Sequence, residues 1–161
     1  MLTIGIDPGA SGGIAHQYDN GQPAVIAMPD TEGCIVDYLA ELMLSNIPQL
    51  VGEPQQAATA YIEEVGGYIA GNRSPGSAMF NFGRNFGFLL GCLQSLRFRV
   101  VLVRPQKWQK TFSLGTKSQC TSGSEWKRKL KAKAQQLYPG IKVTNNTADA
   151  LLILHYGLAE Q

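Results

Sequence analysis

Cysteine is scarce and scattered in this chain. Cys34, Cys92 and Cys120 are odd in number and fit no zinc-ligand spacing. They point to a reducing compartment, so a cytoplasmic protein is expected. Long apolar runs are missing as well. None approaches the roughly 20 residues of a membrane span, so no membrane partner is expected. No basic segment precedes the first apolar run at Leu2, and no secretory leader is expected. There is no internal repeat and no sign of a second domain. A length of 161 residues, 44% of them hydrophobic, suits one globular domain over 1–161 with a single core.

The most telling scarcity is regional. Residues 1–96 hold two basic side chains, Arg73 and Arg84, against nine acidic ones, a balance of −7. Residues 97–142 hold twelve basic side chains and one acidic, Glu125, a balance of +11, and residues 143–161 stand at −2. The overall charge of +2 hides this split. A block so basic is an electrostatic footprint for a polyanion, or else a solvated lysine-rich helix face.

What is present starts with Ile4-Gly5-Ile6-Asp7-Pro8-Gly9-Ala10-Ser11-Gly12-Gly13. Leu2–Ile6 reads as a strand buried on both faces that ends in a carboxylate. Such a carboxylate needs a cation or a donor, and a divalent metal is one such partner. The neighbouring glycines let backbone or phosphate come close. The plainer reading is a turn-forming Asp-Pro-Gly after an edge strand.

Gly13–Gln17 and Pro23–Met28 read as two further strands, with Asp19-Asn20-Gly21 as a hairpin turn. Asp30 or Thr31 caps a helix to about Ser45, with Ile35, Tyr38, Leu39, Leu42 and Met43 on one face. Residues 53–58 are polar and loop-like. Residues 60–65 read as a short strand. Residues 66–76 form a Gly/Asn/Ser/Pro loop of functional length. Ser77–Leu96 is the longest helical pattern. Gly83, Gly87 and Gly91 share one face of it, a groove open to the sheet or to a second subunit. Arg99–Val103 is a strand, and 104–110 a capped turn or short helix. Residues 113–123 are polar and expected to be mobile. Glu125–Leu137 is a basic helix, and the last helix begins near Asn145 or Asn146. The order βββ-α-β-α-β-α-α predicts a mixed α/β fold.

Three acids lie where apolar segments end or begin: Asp7, Glu63 and Asp149. Adjacent parallel strands would set Asp7 beside Glu63, and a helix packed across them could present Asp149. Carboxylates converging without basic partners hold together around divalent metal. Each has a plainer role to weigh. Asn146-Thr147-Ala148-Asp149 has capping-box spacing, and strand alternation puts only one of Glu63 and Glu64 on each face.

Five segments, in order along nearly the whole chain, carry a resemblance: IGIDPGASGGIA, YIEEVGG, MFNFGRNFGFLLG, VRPQKWQK and TADALLILHYG. Together they resemble the RuvC-type Holliday junction resolvases of the RNase H-like superfamily, nearer the phage and organellar branch. The resemblance implies a five-stranded mixed sheet, three antiparallel strands leading and then parallel strands, flanked by helices. It implies a homodimeric endodeoxyribonuclease that resolves four-way DNA junctions with Mg²⁺ or Mn²⁺, two ions per site. Asp7, Glu63 and Asp149 fall on the family's catalytic and metal-binding acids. The family usually has another Asp or His one helical turn before the last acid, where this chain has Asn146 and Asn145. Asparagine offers a neutral oxygen, but neither charge nor base. Tyr68 falls where the family places an aromatic wedge. Trp108 reads as a core anchor.

The implied chemistry is phosphodiester hydrolysis across two ions roughly 3.5–4 Å apart, leaving a 5′-phosphate. Arg73, Arg84, Lys107, Lys110, Lys117, Lys127, Arg128 and Lys131 are the candidates for phosphate contacts. The competing readings are another RNase H-like nuclease acting on RNA–DNA hybrid or branched DNA, a sugar-kinase or actin-type ATPase, and a catalytically impaired junction-binding protein. The ATPase class needs two such domains.

Overall fold

The central strand, β1 (Leu2–Asp7), is buried along both faces until its last residue. Leu2, Ile4 and Ile6 point to one side, and Thr3 and Gly5 to the other. In the computed structural model, residues 1–19, 21–46, 58–64 and 76–161 are described. The chain continues through β2 (Gly13–Tyr18), β3 (Ala24–Ala27), α1 (Glu32–Ser45), β4 (Ala58–Glu63) and α2 (Gly76–Ser95). It ends with β5 (Arg99–Val103), α3 (Pro105–Lys110), a 3-10 turn at Lys117–Gln119, α4 (Gly123–Leu137) and α5 (Ala148–Ala159).

The sheet runs β3-β2-β1-β4-β5. β1, β2 and β3 are antiparallel neighbours, whereas β4 lies parallel to β1 and β5 parallel to β4. This is the five-stranded mixed sheet that the resemblance implies. One face is covered by α1 and α2, whose Ile35, Leu39, Leu42, Leu89 and Leu93 pack on Leu2, Ile4 and Ile6. The other carries α5 with α3 and α4 behind it, around Trp108, Trp126, Leu130 and the apolar run Ala150–Leu154. α5 lies directly on β1. A Cβ on Gly5 would stand 2.6 Å from the Ala150 carbonyl oxygen, so only glycine lets the helix backbone come this close.

The expected elements appear with shifted ends. Thr31 caps α1 by accepting from the Cys34 N–H at 3.2 Å. β3 is shorter than 23–28. β4 begins at Ala58, which pairs with Leu2 across the parallel ladder, two residues before the expected start at 60. Residues 53–57, Val65 at the end of the expected strand, residues 66–75 of the expected loop and Asn20 of the hairpin turn lie outside the described residues. α5 starts at Ala148, not at Asn145 or Asn146. Those two form a turn, and the N-cap is Thr147, whose hydroxyl accepts the Thr144 N–H at 2.9 Å. The glycine face of α2 does not meet the sheet: a Cβ on Gly83, Gly87 or Gly91 would find nothing within 4 Å among the described residues.

Candidate active site

The three sequence-predicted acids sit at one end of the sheet. Ile6 pairs with Ile62 in the parallel ladder, so Asp7 and Glu63 are the next residues at the C-terminal ends of adjacent central strands. α5 crosses β1 at Gly5, which sets Asp149, its second residue, over the same end. All three are half-buried.

The loop after β1 closes on its own carboxylate. The Gly9 N–H donates to Asp7 Oδ1 at 3.3 Å. A Cβ on Gly12 would lie 2.9 Å from Asp7 Cγ, so the returning chain needs glycine there for space. At Gly9 the same Cβ would make an ordinary contact, 3.7 Å from Asp7 Oδ1.

Glu63 accepts a hydrogen bond from the indole Nε1–H of Trp108 at 2.8 Å. Its neighbour Glu64 faces the other way and pairs with Arg104 Nε at 3.1 Å. Strand alternation therefore assigns one acid to the site and one to the surface. Asp149 makes no capping hydrogen bond among the described residues, which removes the capping-box reading.

The electrostatics of the three are linked. Burial pushes the Asp7 carboxyl above its ordinary range, opposed by the Gly9 hydrogen bond and the Lys127 charge. Glu63 is pushed up to about 7, first by burial and then by the charges of Asp7 and Asp149, with the Trp108 bond opposing. Asp149 is pushed up to about 6 by burial and by Asp7, with Lys127 opposing. Among the described residues none of the three stands in an ion pair. Nor, among those residues, does any group of three or more His, Cys, Asp or Glu stand close enough to hold a metal ion between them. The donor chemistry suits a hard divalent cation nonetheless: three carboxylates, oxygen ligands only, and no competing cation in contact among the described residues.

Glu63 and Asp149 line an open cleft of about 1290 Å³, whose other walls carry Lys110, Lys117 and Lys127. Those three come from the end of α3, the 3-10 turn and the first turns of α4. The other candidate phosphate contacts lie elsewhere. Arg84 pairs with Glu32 at 2.6 Å, between α2 and α1. Lys107 pairs with Glu160 at 3.5 Å and lies 5.6 Å from the centre of the Tyr156 ring. Arg128 and Lys131 are on α4 but do not line the cleft. Asn145 and Asn146 are exposed in the turn before α5, so neither shares a helix face with Asp149. Tyr68 and Arg73 lie outside the described residues.

Trp108 is the site residue that sequence reading did not place. It is a core anchor, fully buried as expected, and it also touches Glu63. A buried tryptophan needs an acceptor for its N–H, and that is the signal that could have found the pair.

No family model matches the chain, and neither does any curated protein. Among solved structures, Thermus thermophilus RuvC aligns with a TM-score of 0.59 at 15% identity, over 99% of this chain and 96% of that one. T. thermophilus RuvC in complex with a Holliday junction substrate aligns with a TM-score of 0.61 at 17% identity, over the same shares. At such identity the likeness is one of fold: the chain has the five-stranded mixed-sheet fold of these RuvC structures.

Proposed function

We propose that this protein is a divalent-metal-dependent endodeoxyribonuclease that cuts branched DNA, four-way junctions above all. One observation carries the reading: a single cleft joins Glu63 and Asp149, beside Asp7, to the lysines of the basic block. Asp7, Glu63 and Asp149 are the residues that would hold Mg²⁺ or Mn²⁺. Such a cation supplies Lewis acidity at the phosphodiester and makes water acidic enough to attack near neutral pH. Lys110, Lys117 and Lys127 hold the phosphate backbone against the acids without reading sequence. Lys127 also eases the crowding of negative charge, since its field reaches both Asp7 and Asp149.

A homodimer fits this reading, since paired cuts on opposite strands need two sites. Three free thiols, Cys34, Cys92 and Cys120, fit a reducing compartment, cytoplasmic or organellar. Among the described residues no helix is long and apolar enough to cross a membrane.

The test is nicking of a mobile four-way junction beside linear duplex and an RNA–DNA hybrid, with and without Mg²⁺. Junction cutting that requires Mg²⁺, and is abolished in Asp7→Asn while junction affinity is retained or tightened, is the expected result. Preferential cutting of the hybrid would move the protein to another branch of RNase H-like nucleases. Asp7→Asn cutting at the wild-type rate would refute the site.

A second reading, a junction binder with weak turnover, is favoured by one feature. Asn145 and Asn146 bring no charge or base to the start of α5. On that reading Asn146→Asp or Asn145→His raises cleavage by at least about tenfold, since a missing general base costs about 10²–10⁴ in rate. Full activity unimproved by either change would show that three carboxylates suffice.

A further inference from the structure

Glu63 and Trp108 come from different parts of the chain and meet only through the fold. Glu63 ends β4, whereas Trp108 sits in the short helix after β5, the next strand of the sheet. The indole is fully buried, edge-on to Phe112 with ring centres 6.4 Å apart, in the cluster that α4 and α5 complete. A ring packed on all sides cannot swing, so its N–H vector is fixed by the core rather than by solvent. That vector ends on one oxygen of Glu63, Oε2, at 2.8 Å. The other oxygen, Oε1, has no hydrogen bond among the described residues. An unheld glutamate on a strand end would rotate about three side-chain torsions.

We propose that Trp108 is a positioning residue for the site: its indole N–H pins Oε2 of Glu63 and so reserves Oε1 as the oxygen offered to a divalent cation in the cleft. The inference rests on the reading of Glu63 as a cation ligand. Partners that orient a metal-binding carboxylate are worth about 10–100-fold in metal affinity or activity. In this chain that partner comes from the core itself, so the packing of α3 sets the aim of the carboxylate.

The variant is Trp108→Phe, which keeps a buried aromatic ring and removes the N–H. Calorimetric titration of the DNA-free protein with MnCl₂ should show affinity weakened by about tenfold or more. Junction affinity in EDTA should stay at the wild-type value. The Mn²⁺ concentration for half-maximal nicking should rise by the same factor, with activity recovered at excess Mn²⁺. If the phenylalanine leaves a void and melts the fold, benzothienylalanine at position 108 carries the same test, since it keeps the bicyclic shape with sulfur in place of N–H. Wild-type Mn²⁺ affinity in the folded variant, with affinity lost in Glu63→Gln, would overturn the positioning role and leave the carboxylate site standing. Wild-type affinity in both variants would overturn the cation reading of Glu63 and this inference with it.

Discussion

Replacing Glu63 with glutamine should make the metal-free protein more stable above neutral pH, and the gain should shrink to nothing in acid. Folding raises the Glu63 carboxyl from 4.5 to about 7. The folded chain therefore binds that proton more tightly than the unfolded chain does. Stability falls as pH climbs from about 4.5 toward about 7 and stays low above it. At about 1.4 kcal/mol per tenfold in proton affinity, the full effect is roughly 3 kcal/mol. Glu63 is only half-buried, and water in the open cleft reduces this to about 1–3 kcal/mol. The glutamine would carry no charge, and its side-chain oxygen still accepts from Trp108. For a chain of this size each kcal/mol moves Tm by about 2–4 °C, so the variant should melt about 2–12 °C higher at pH 8. The assay is thermal unfolding in EDTA from pH 4.5 to 8.5, read as the difference between variant and wild type. His16 and His155, whose lowered proton affinity tilts stability the other way, are present in both proteins and cancel. A difference that does not grow between pH 5 and pH 8 would refute the assigned cost of charging Glu63. At pH 8, Mg²⁺ should raise the wild-type Tm more than that of Glu63→Gln.

Lys117→Glu with Lys127→Glu should weaken junction binding and flatten its salt dependence by roughly 0.9 in log K per log unit of salt for each phosphate left unneutralised. Lys107→Glu, whose lysine is already paired with Glu160, should change that slope far less, and filter binding across a salt series would separate the cases. Gly5→Ala should cost about 1–3 kcal/mol or more through overpacking and lower Tm by several degrees, because the new methyl meets the α5 backbone; an unchanged melt would show that the helix can lift off β1 cheaply.

Much of the fold was legible because it is written in local periods. The apolar run Leu2–Ile6, the Thr31 cap and the strand Arg99–Val103 each carry their signal within a few residues. The end of the sheet holding Asp7 and Glu63 could be inferred once those strands were taken as parallel neighbours. What was not legible depends on which segments meet across the chain. The start of α5 rests on a hydroxyl bond between Thr147 and the Thr144 N–H, whereas the preceding asparagines look like better caps. The sorting of the seven described basic candidates into cleft-lining and peripheral ones depends on where α3, α4 and the 3-10 turn dock, which charge density alone does not encode. The bond from Trp108 to Glu63 joins residues 45 apart in sequence, and only the packed fold brings them together.

The buried anchors of α2 divide that helix into two thermodynamic halves, while its glycine face meets no neighbour among the described residues. These anchors, Leu89 and Leu93, both lie in the C-terminal half, whereas every residue from Gly76 to Gly87 is exposed or only partly covered. Each of Gly83, Gly87 and Gly91 withholds about 1 kcal/mol of helical preference relative to alanine, with no described neighbour on that face to offset it. Local opening should therefore begin at Gly76 and travel inward, stopping near Leu89 where the sheet takes hold. The helix thus keeps a reserve of conformational entropy in its first three turns, and anything that stiffens them must draw that reserve down while the anchored half stays as it is.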